Sequence, residues 1–138
     1  MARILAIDYG GKRTGLAVTD PLQIIATGLT TITSKELIPW LKAYLAKEDV
    51  EKIIIGLPVN WDESDTHGTP LVREAIKKIT KEFPAMPLKT VDERYTSKMA
   101  KDAMLQMGMK KKDRADKKNV DEIAATIMLQ EYVQTLNS

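Results

Sequence analysis

The sequence predicts an α/β fold: a mixed five-stranded sheet, three strands in succession and then strands alternating with helices, flanked by those helices. Three observations predict it. The apolar run "RILAID" is followed, after a glycine-bearing turn, by "TGLAVT" and then by an Ile/Thr-rich stretch, which reads as consecutive strands. The run "VEKIIIGLP" is a continuous apolar stretch stopped by Gly56 and Pro58, as in a strand covered on both faces. The segments around and after it carry apolar residues at helical spacing. Strands in sequence followed by alternating helices and strands imply a mixed sheet with helices packed on it, an architecture in which chemistry collects at strand ends.

Taken in order, residues 3–8 read as a buried strand, Tyr9 to Arg13 as a turn, and 14–19 as the return strand, ended by Asp20–Pro21. Residues 24–33 fit a third strand. Ser34 then reads as the N-cap of a helix on which Leu37, Ile38, Leu41, Tyr44 and Leu45 recur, with Pro39 in its first turn or so. Residues 50–57 are the fourth strand and 58–68 a polar loop. From Thr69 to Phe83, Leu71, Val72, Ala75, Ile76 and Ile79 trace a helix face, with Thr69 as cap and Pro70 at the first position. "MPLKTVDE" is a short fifth strand. A helix is expected from Thr96 to about Met107, with Gly108 closing it. A final helix begins near Asn119 and turns Ile123, Ala124, Ile127, Met128 and Val133 inward. No repeat or linker interrupts the chain, so one domain over residues 1–138 is expected.

Bulk properties narrow the function classes. At 138 residues, 43% hydrophobic and 29% charged, the chain has the makings of a folded core. The net charge of +2 does not indicate a wholly basic nucleic-acid binder, although a local basic patch is compatible with it. The absence of cysteine removes disulfides and thiolate metal sites, and His67 is the single histidine. A bound metal would therefore be held mainly by oxygen, which favours Mg²⁺ or Mn²⁺ over zinc. Met1–Ala2–Arg3 leads directly into a strand-like run, and no apolar stretch reaches membrane-spanning length, so a cytoplasmic protein with no membrane partner is expected.

Several acidic residues stand out by position. Asp8 ends the first strand, Asp92 and Glu93 end the last, and Asp121 opens the final helix. Each has an ordinary explanation: Asp8 could bond turn amides, Asp92 or Glu93 could pair with Arg94, and Asp121 could serve the helix N-terminus. Together they suggest more. If the first and last strands approach each other and the final helix packs across the sheet, Asp8, Glu93 and Asp121 converge. Clustered carboxylates raise one another's pKa values, and a divalent cation removes that penalty. Two such ions about 4 Å apart suit phosphodiester hydrolysis. Lys12 and Arg13 sit at the hairpin tip, where they could hold a phosphate or simply be solvated. Gly10, Gly11 and Gly15 permit positive φ and close backbone approach.

The stretches "DYGGKRTGLAV" (8–18), "GLP" (56–58), "VDERYTS" (91–97) and "VDEIAATIMLQEYV" (120–133) resemble, in order and spacing, the motifs of the YqgF/RuvX family. The resemblance implies an RNase H-like fold related to the Holliday junction resolvase RuvC. It also implies a metal-dependent nuclease, one that processes the 5′ end of pre-16S ribosomal RNA or resolves branched DNA. On that pattern Asp8, Glu93 and Asp121 are the metal-binding catalytic carboxylates, Asp92 an alternate or supporting partner, and Arg13 and Arg94 phosphate contacts. The segment "VNWDESDTHGTP" departs from the family's short Asp–Gly turn. Within it, His67 reads as an ordinary loop histidine, and Trp61 as either a stacking residue or a cover for the core edge.

The basic run from Lys110 to Lys118 precedes Asp121, and Lys117 and Lys118 in it are candidate phosphate contacts. A solvated loop is the plain alternative. Met99, Met104, Met107 and Met109 read as core filler. The partner expected is nucleic acid, pre-rRNA ahead of branched DNA, bound by a monomer or weak homodimer. A resolvase would need a two-fold dimer to cut paired strands. Two other classes fit parts of the sequence: a noncatalytic nucleic-acid-binding module, and an actin-like nucleotide-binding domain suggested by "DYGGKRTG". The second normally needs two such domains, and the chain has little room for both.

Overall fold

The computed structural model describes residues 2–57, 69–92 and 117–136; the side chains of Asp92 and of residues 117–119 fall outside that description. The elements are β1 (Arg3–Tyr9), β2 (Arg13–Thr19), β3 (Ala26–Thr33), a 3-10 turn (Ser34–Glu36), α1 (Leu37–Lys47), β4 (Val50–Leu57), α2 (Thr69–Glu82), β5 (Leu88–Asp92) and α3 (Lys117–Leu136). The expected helix at 96–107, its Met cluster, and the 58–68 loop with Trp61 and His67 lie outside the described residues.

The sheet has five strands in the order β3-β2-β1-β4-β5. β2 runs antiparallel to β1 and β3, whereas β1–β4 and β4–β5 are parallel. The mixed sheet follows from chain connectivity. A short turn joins β1 to β2, and helix-containing crossovers carry the chain to β4 and β5. β1 is therefore the central strand, paired on both sides, and the isoleucine run of β4 stands next to it.

Strand alternation sorts the core into two layers. Leu5 and Ile7 of β1, Leu16 and Val18 of β2, and Ile53 and Ile55 of β4 pack with α1 and α2 through Leu37, Leu41, Tyr44, Val72, Ala75 and Ile79. Ile4, Ala6, Ala17 and Ile54 face the other way and meet Ala125, Met128, Leu129, Tyr132 and Val133 of α3. Each fully buried Ile or Leu contributes about 1.5–3 kcal/mol, so β1 anchors both layers. Two helical expectations shift. Leu71 is exposed while Val72, Ala75 and Ile79 carry the buried face of α2. Ile123 and Ile127 of α3 are only half-buried, against Val120 and Ala124.

Ser34 does not cap α1. The helix begins at Leu37 with Glu36 before it, and no side chain caps that end. Ser34 is instead buried, its Oγ 2.5 Å from the carbonyl of Gly10, to which it donates, and 2.8 Å from Thr14 Oγ1. Its backbone N–H donates to the carbonyl of Lys12 at 3.0 Å. The end of β3 thereby clasps the β1–β2 hairpin. The hairpin itself closes through Gly10 N–H to the carbonyl of Arg13 at 2.9 Å. Positive φ is not what its glycines supply, because none of Gly10, Gly11 and Gly15 is left-handed.

The β2–β3 loop is organised by Asp20, whose carboxylate accepts from the backbone N–H groups of Leu22, Ile24 and Ile25 at 3.2, 2.8 and 2.8 Å. Gln23 sits there in the left-handed region at φ 59°. The bonds from Ile25 and Ile24, the largest causes, hold the Asp20 carboxyl below its ordinary value of 3.8.

Two predictions follow from these contacts. Ser34→Ala leaves the Gly10 carbonyl and Thr14 hydroxyl short of a partner and is expected to cost about 1–3 kcal/mol in urea unfolding. For Asp20, the native pKa is depressed, so its stabilisation is present above the ordinary carboxylate range and lost as pH falls through the native value. Asp20→Ala should lower the melting temperature at neutral pH and flatten that acid limb, as read by thermal melts from pH 6 to 2.

Candidate active site

The carboxyl ends of β1, β4 and β5 point the same way, because these strands are parallel. Asp8 stands at that end of β1. By alternation with Ile4 and Ala6 its side chain belongs to the α3 face of the sheet, where it is half-buried. Its cross-strand neighbour is Gly15 of β2.

Gly15 decides how close α3 comes. A Cβ built there would strike the backbone carbonyl of Asp121 and lie 2.9 Å from the amide nitrogen of Glu122. Glycine at this position lets the helix backbone rest directly on the strand. Gly28 of β3 gives similar room to the Glu122 side chain, whose Oε1 would lie 2.5 Å from a Cβ at position 28. Directly opposed antiparallel residues have Cα atoms about 5 Å apart, so the contact at Gly15 brings Asp121 beside the end of the strand that carries Asp8.

Arg13 then fixes the carboxylate. It lies two residues from Gly15 on the same face, and its Nε donates to Asp121 Oδ2 at 3.2 Å. The two side chains are 33% and 26% exposed, so solvent screens the pair and it contributes at most about 1 kcal/mol. Its larger effect is orientation. Arg13, expected as a phosphate contact at the hairpin tip, is here engaged through Nε by Asp121, while Lys12 is the exposed base there.

Asp121 also differs from its simplest sequence explanation. α3 starts at Lys117, and its first turn holds no acidic residue. The helix-dipole effect falls off within that first turn, so helix capping does not account for Asp121.

The other expected site residues are placed unequally. Asp92 closes β5, level with Leu57 of β4. Gly56 lies one step before Leu57, pairs with Val91, and puts no side chain between the ends of β1 and β5. Lys117 and Lys118 form the start of α3. Glu93 and Arg94 lie outside the described residues. Among the described residues no three His, Cys, Asp or Glu side chains group closely enough to hold a metal ion. The described carboxylates at this end, Asp8 and Asp121, offer oxygen donors alone, which fits a hard divalent cation. The sequence reading missed the role of Gly28 and the partner of Arg13. Local spacing offered no signal for either, since both depend on where α3 docks.

Comparison with solved structures defines the class. Thermus thermophilus RuvC in complex with a Holliday junction substrate superposes with a TM-score of 0.57 at 17% identity, over 100% of this chain and 97% of that one. A second Thermus thermophilus RuvC structure gives 0.54 at 12% identity, covering 98% and 96%. At such identities the likeness establishes the fold, and the fold is RNase H-like. The family is narrower: residues 2–135 match the model described as RuvX: Holliday junction resolvase, and the chain belongs to that family. Relatives named "Putative pre-16S rRNA nuclease" are similar along nearly their full length. The protein of Christiangramia forsetii is 51% identical over 96% of this chain and 98% of its own. That of Flavobacterium psychrophilum is 52% identical over 96% and 97%, and that of Bacteroides thetaiotaomicron 50% over 98% of both. Among the described residues no helix is long and apolar enough to cross a membrane.

Gly15→Ala tests the docking contact. The added methyl must push α3 off β2, a change of the overpacking kind that costs about 1–3 kcal/mol. Chemical denaturation should show that loss, and NMR shifts at Arg13 and Asp121 should move more than those in α1.

Proposed function

We propose that the protein is a nuclease that hydrolyses phosphodiester bonds in structured RNA, with the 5′ end of pre-16S ribosomal RNA as its substrate. The observation that carries this reading is the contact between the start of α3 and β2 at Gly15, which sets Asp121 beside the end of β1 that bears Asp8. The names borne by relatives of about 50% identity over 96% or more of the chain support the substrate.

In this reading Asp8, Asp121 and Glu93 hold Mg²⁺ or Mn²⁺, with Asp92 as a supporting partner. A divalent cation held there would supply Lewis acidity toward the phosphate and would lower the pKa of water so that a hydroxide nucleophile is available near neutral pH. The chain's own residues do the rest. Asp8 stands on the central strand of the sheet, which is paired on both sides, so its carboxylate is preorganised. Arg13 holds Asp121 in one orientation. Lys12, Arg94, Lys117 and Lys118 supply positive charge for the phosphate backbone, in a protein whose net charge is only +2. Cleavage proceeds by water displacing a ribose oxygen from phosphorus, which leaves one phosphate monoester and one hydroxyl end.

A second reading, resolution of branched DNA, draws support from the family description and from the RuvC fold. One experiment separates the two. Purified protein and its Asp8→Asn variant are incubated with precursor 16S rRNA or a four-way DNA junction, with Mg²⁺, Mn²⁺ or EDTA. Cleavage of the RNA is expected, abolished by EDTA and reduced at least about 100-fold by Asp8→Asn, with the variant still folded and still bound to RNA. Symmetric cutting of the junction alone would favour the second reading, and undiminished cleavage by Asp8→Asn would remove Asp8 from the mechanism.

A further inference from the structure

On the other face of β1 from Asp8 there is a cavity of about 160 Å³. It opens between the hairpin, the 3-10 turn and the two helices of that layer. Tyr9, the residue after Asp8, gives it an aromatic wall. Leu37, Ile38 and Ala75 give it apolar walls, and Lys35 and Lys78 also line it.

Three features limit what could occupy it. The volume falls below the roughly 300 Å³ at which pockets for drug-sized ligands begin, so it suits one flat ring system rather than a whole cofactor. The lining combines an aromatic ring with aliphatic side chains, a surface that accepts the face of a base of any sequence. The charge at the rim is the third. Two lysines of the neighbouring helices are paired, Lys42 with Glu82 at 3.4 Å and Lys77 with Glu74 at 3.7 Å. Among the described residues Lys35 and Lys78 have no such carboxylate and remain exposed. Two exposed cations beside an apolar, ring-sized recess match a phosphate attached to a base.

From this juxtaposition we infer that the cavity is a binding subsite for one unpaired nucleotide of the substrate strand. The base enters between Tyr9, Ile38 and Ala75, and Lys35 and Lys78 hold its phosphate. Adjacent residues of a strand point to opposite faces, so Asp8 and Tyr9 serve the two sides of the same strand end. A nucleic-acid strand crossing the carboxyl edge of the sheet would meet both: the reacting phosphate on the α3 side and a flanking nucleotide on the α1–α2 side. The inference rests on the nuclease reading and deepens it, because it requires a substrate with a single-stranded nucleotide beside the cut.

The test uses the full chain, methyl-labelled, in EDTA, titrated with a single-stranded RNA decamer, a blunt fully paired RNA duplex, or adenosine monophosphate. The decamer is expected to shift the methyl signals of Leu37, Ile38 and Ala75, and the duplex to leave them in place. Lys35→Ala/Lys78→Ala should weaken decamer binding about tenfold and reduce the slope of log affinity against log salt by about 0.7, the value for one lost single-strand phosphate contact. Silent methyls at saturating decamer would overturn the subsite, as would equal shifts with the duplex or shifts with the mononucleotide alone. Cleavage by the wild-type protein in Mg²⁺, scored separately, distinguishes the failures. If cleavage persists while the methyls stay silent, the subsite alone is lost; if neither cleavage nor any RNA binding occurs, the nuclease reading falls with it.

Discussion

The arrangement of this molecule depends on the close approach of α3 to β2 at Gly15. A helix normally packs on a sheet through side chains, which hold its backbone well away from the strands. Here the missing Cβ lets the Asp121 carbonyl rest on the strand itself. That contact converts two distant pieces of sequence into neighbours. Asp8 faces Gly15 in register, and Arg13, two residues along the same strand, reaches Asp121. The rest of α3 follows from that anchor. Ala125, Met128, Leu129 and Tyr132 lie down the sheet, and Tyr132 OH accepts from Lys52 Nζ at 2.9 Å at the other end.

The opposite layer has a different task. Leu5, Ile7, Ile53 and Ile55 tie β1 and β4 to α1 and α2, and this packing makes the central strand rigid. Ser34 extends that rigidity to the hairpin by bonding Gly10 and Thr14 across 24 and 20 residues. The end of β1 is thus held from two sides, by the clasp at Ser34 and by α3 at Gly15. A carboxylate on such an end keeps its position when charge accumulates around it, which is what a hard-cation site demands of its ligands.

Ser34 and α3 also show where reading from sequence reaches its limit. Ser34 precedes an apolar-periodic segment, which is the pattern of an N-cap, yet its hydroxyl is used by residues far away in the chain. Local spacing has no access to such partners. In α3, apolar residues occupy most of the circumference, so periodicity could not select the buried face. The sheet selected Ala125, Leu129 and Tyr132, while Ile123 and Ile127 packed along a smaller cluster with Val120 and Ala124. Arg13 was legible as a base near a glycine turn, and its pairing with Asp121 was not.

Among the described residues, what the sequence determined by itself is the set of strands and helices and their order. Alternation, the isoleucine run and turn residues act over a few positions, so each strand and helix declares itself locally, and Asp8 can be recognised at a strand end. The YqgF/RuvX motifs added the family, and with it the acids worth watching. Only the tertiary structure decided that Asp121 stands beside the strand of Asp8, that Arg13 holds it, and that a lysine-rimmed cavity lies behind the same strand. The first two depend on the docking of a helix 108 residues along the chain, from Arg13 to Asp121, and the third on the packing of α1 and α2 behind β1. Docking of that kind is set by the fit of whole surfaces, which no short window of sequence contains.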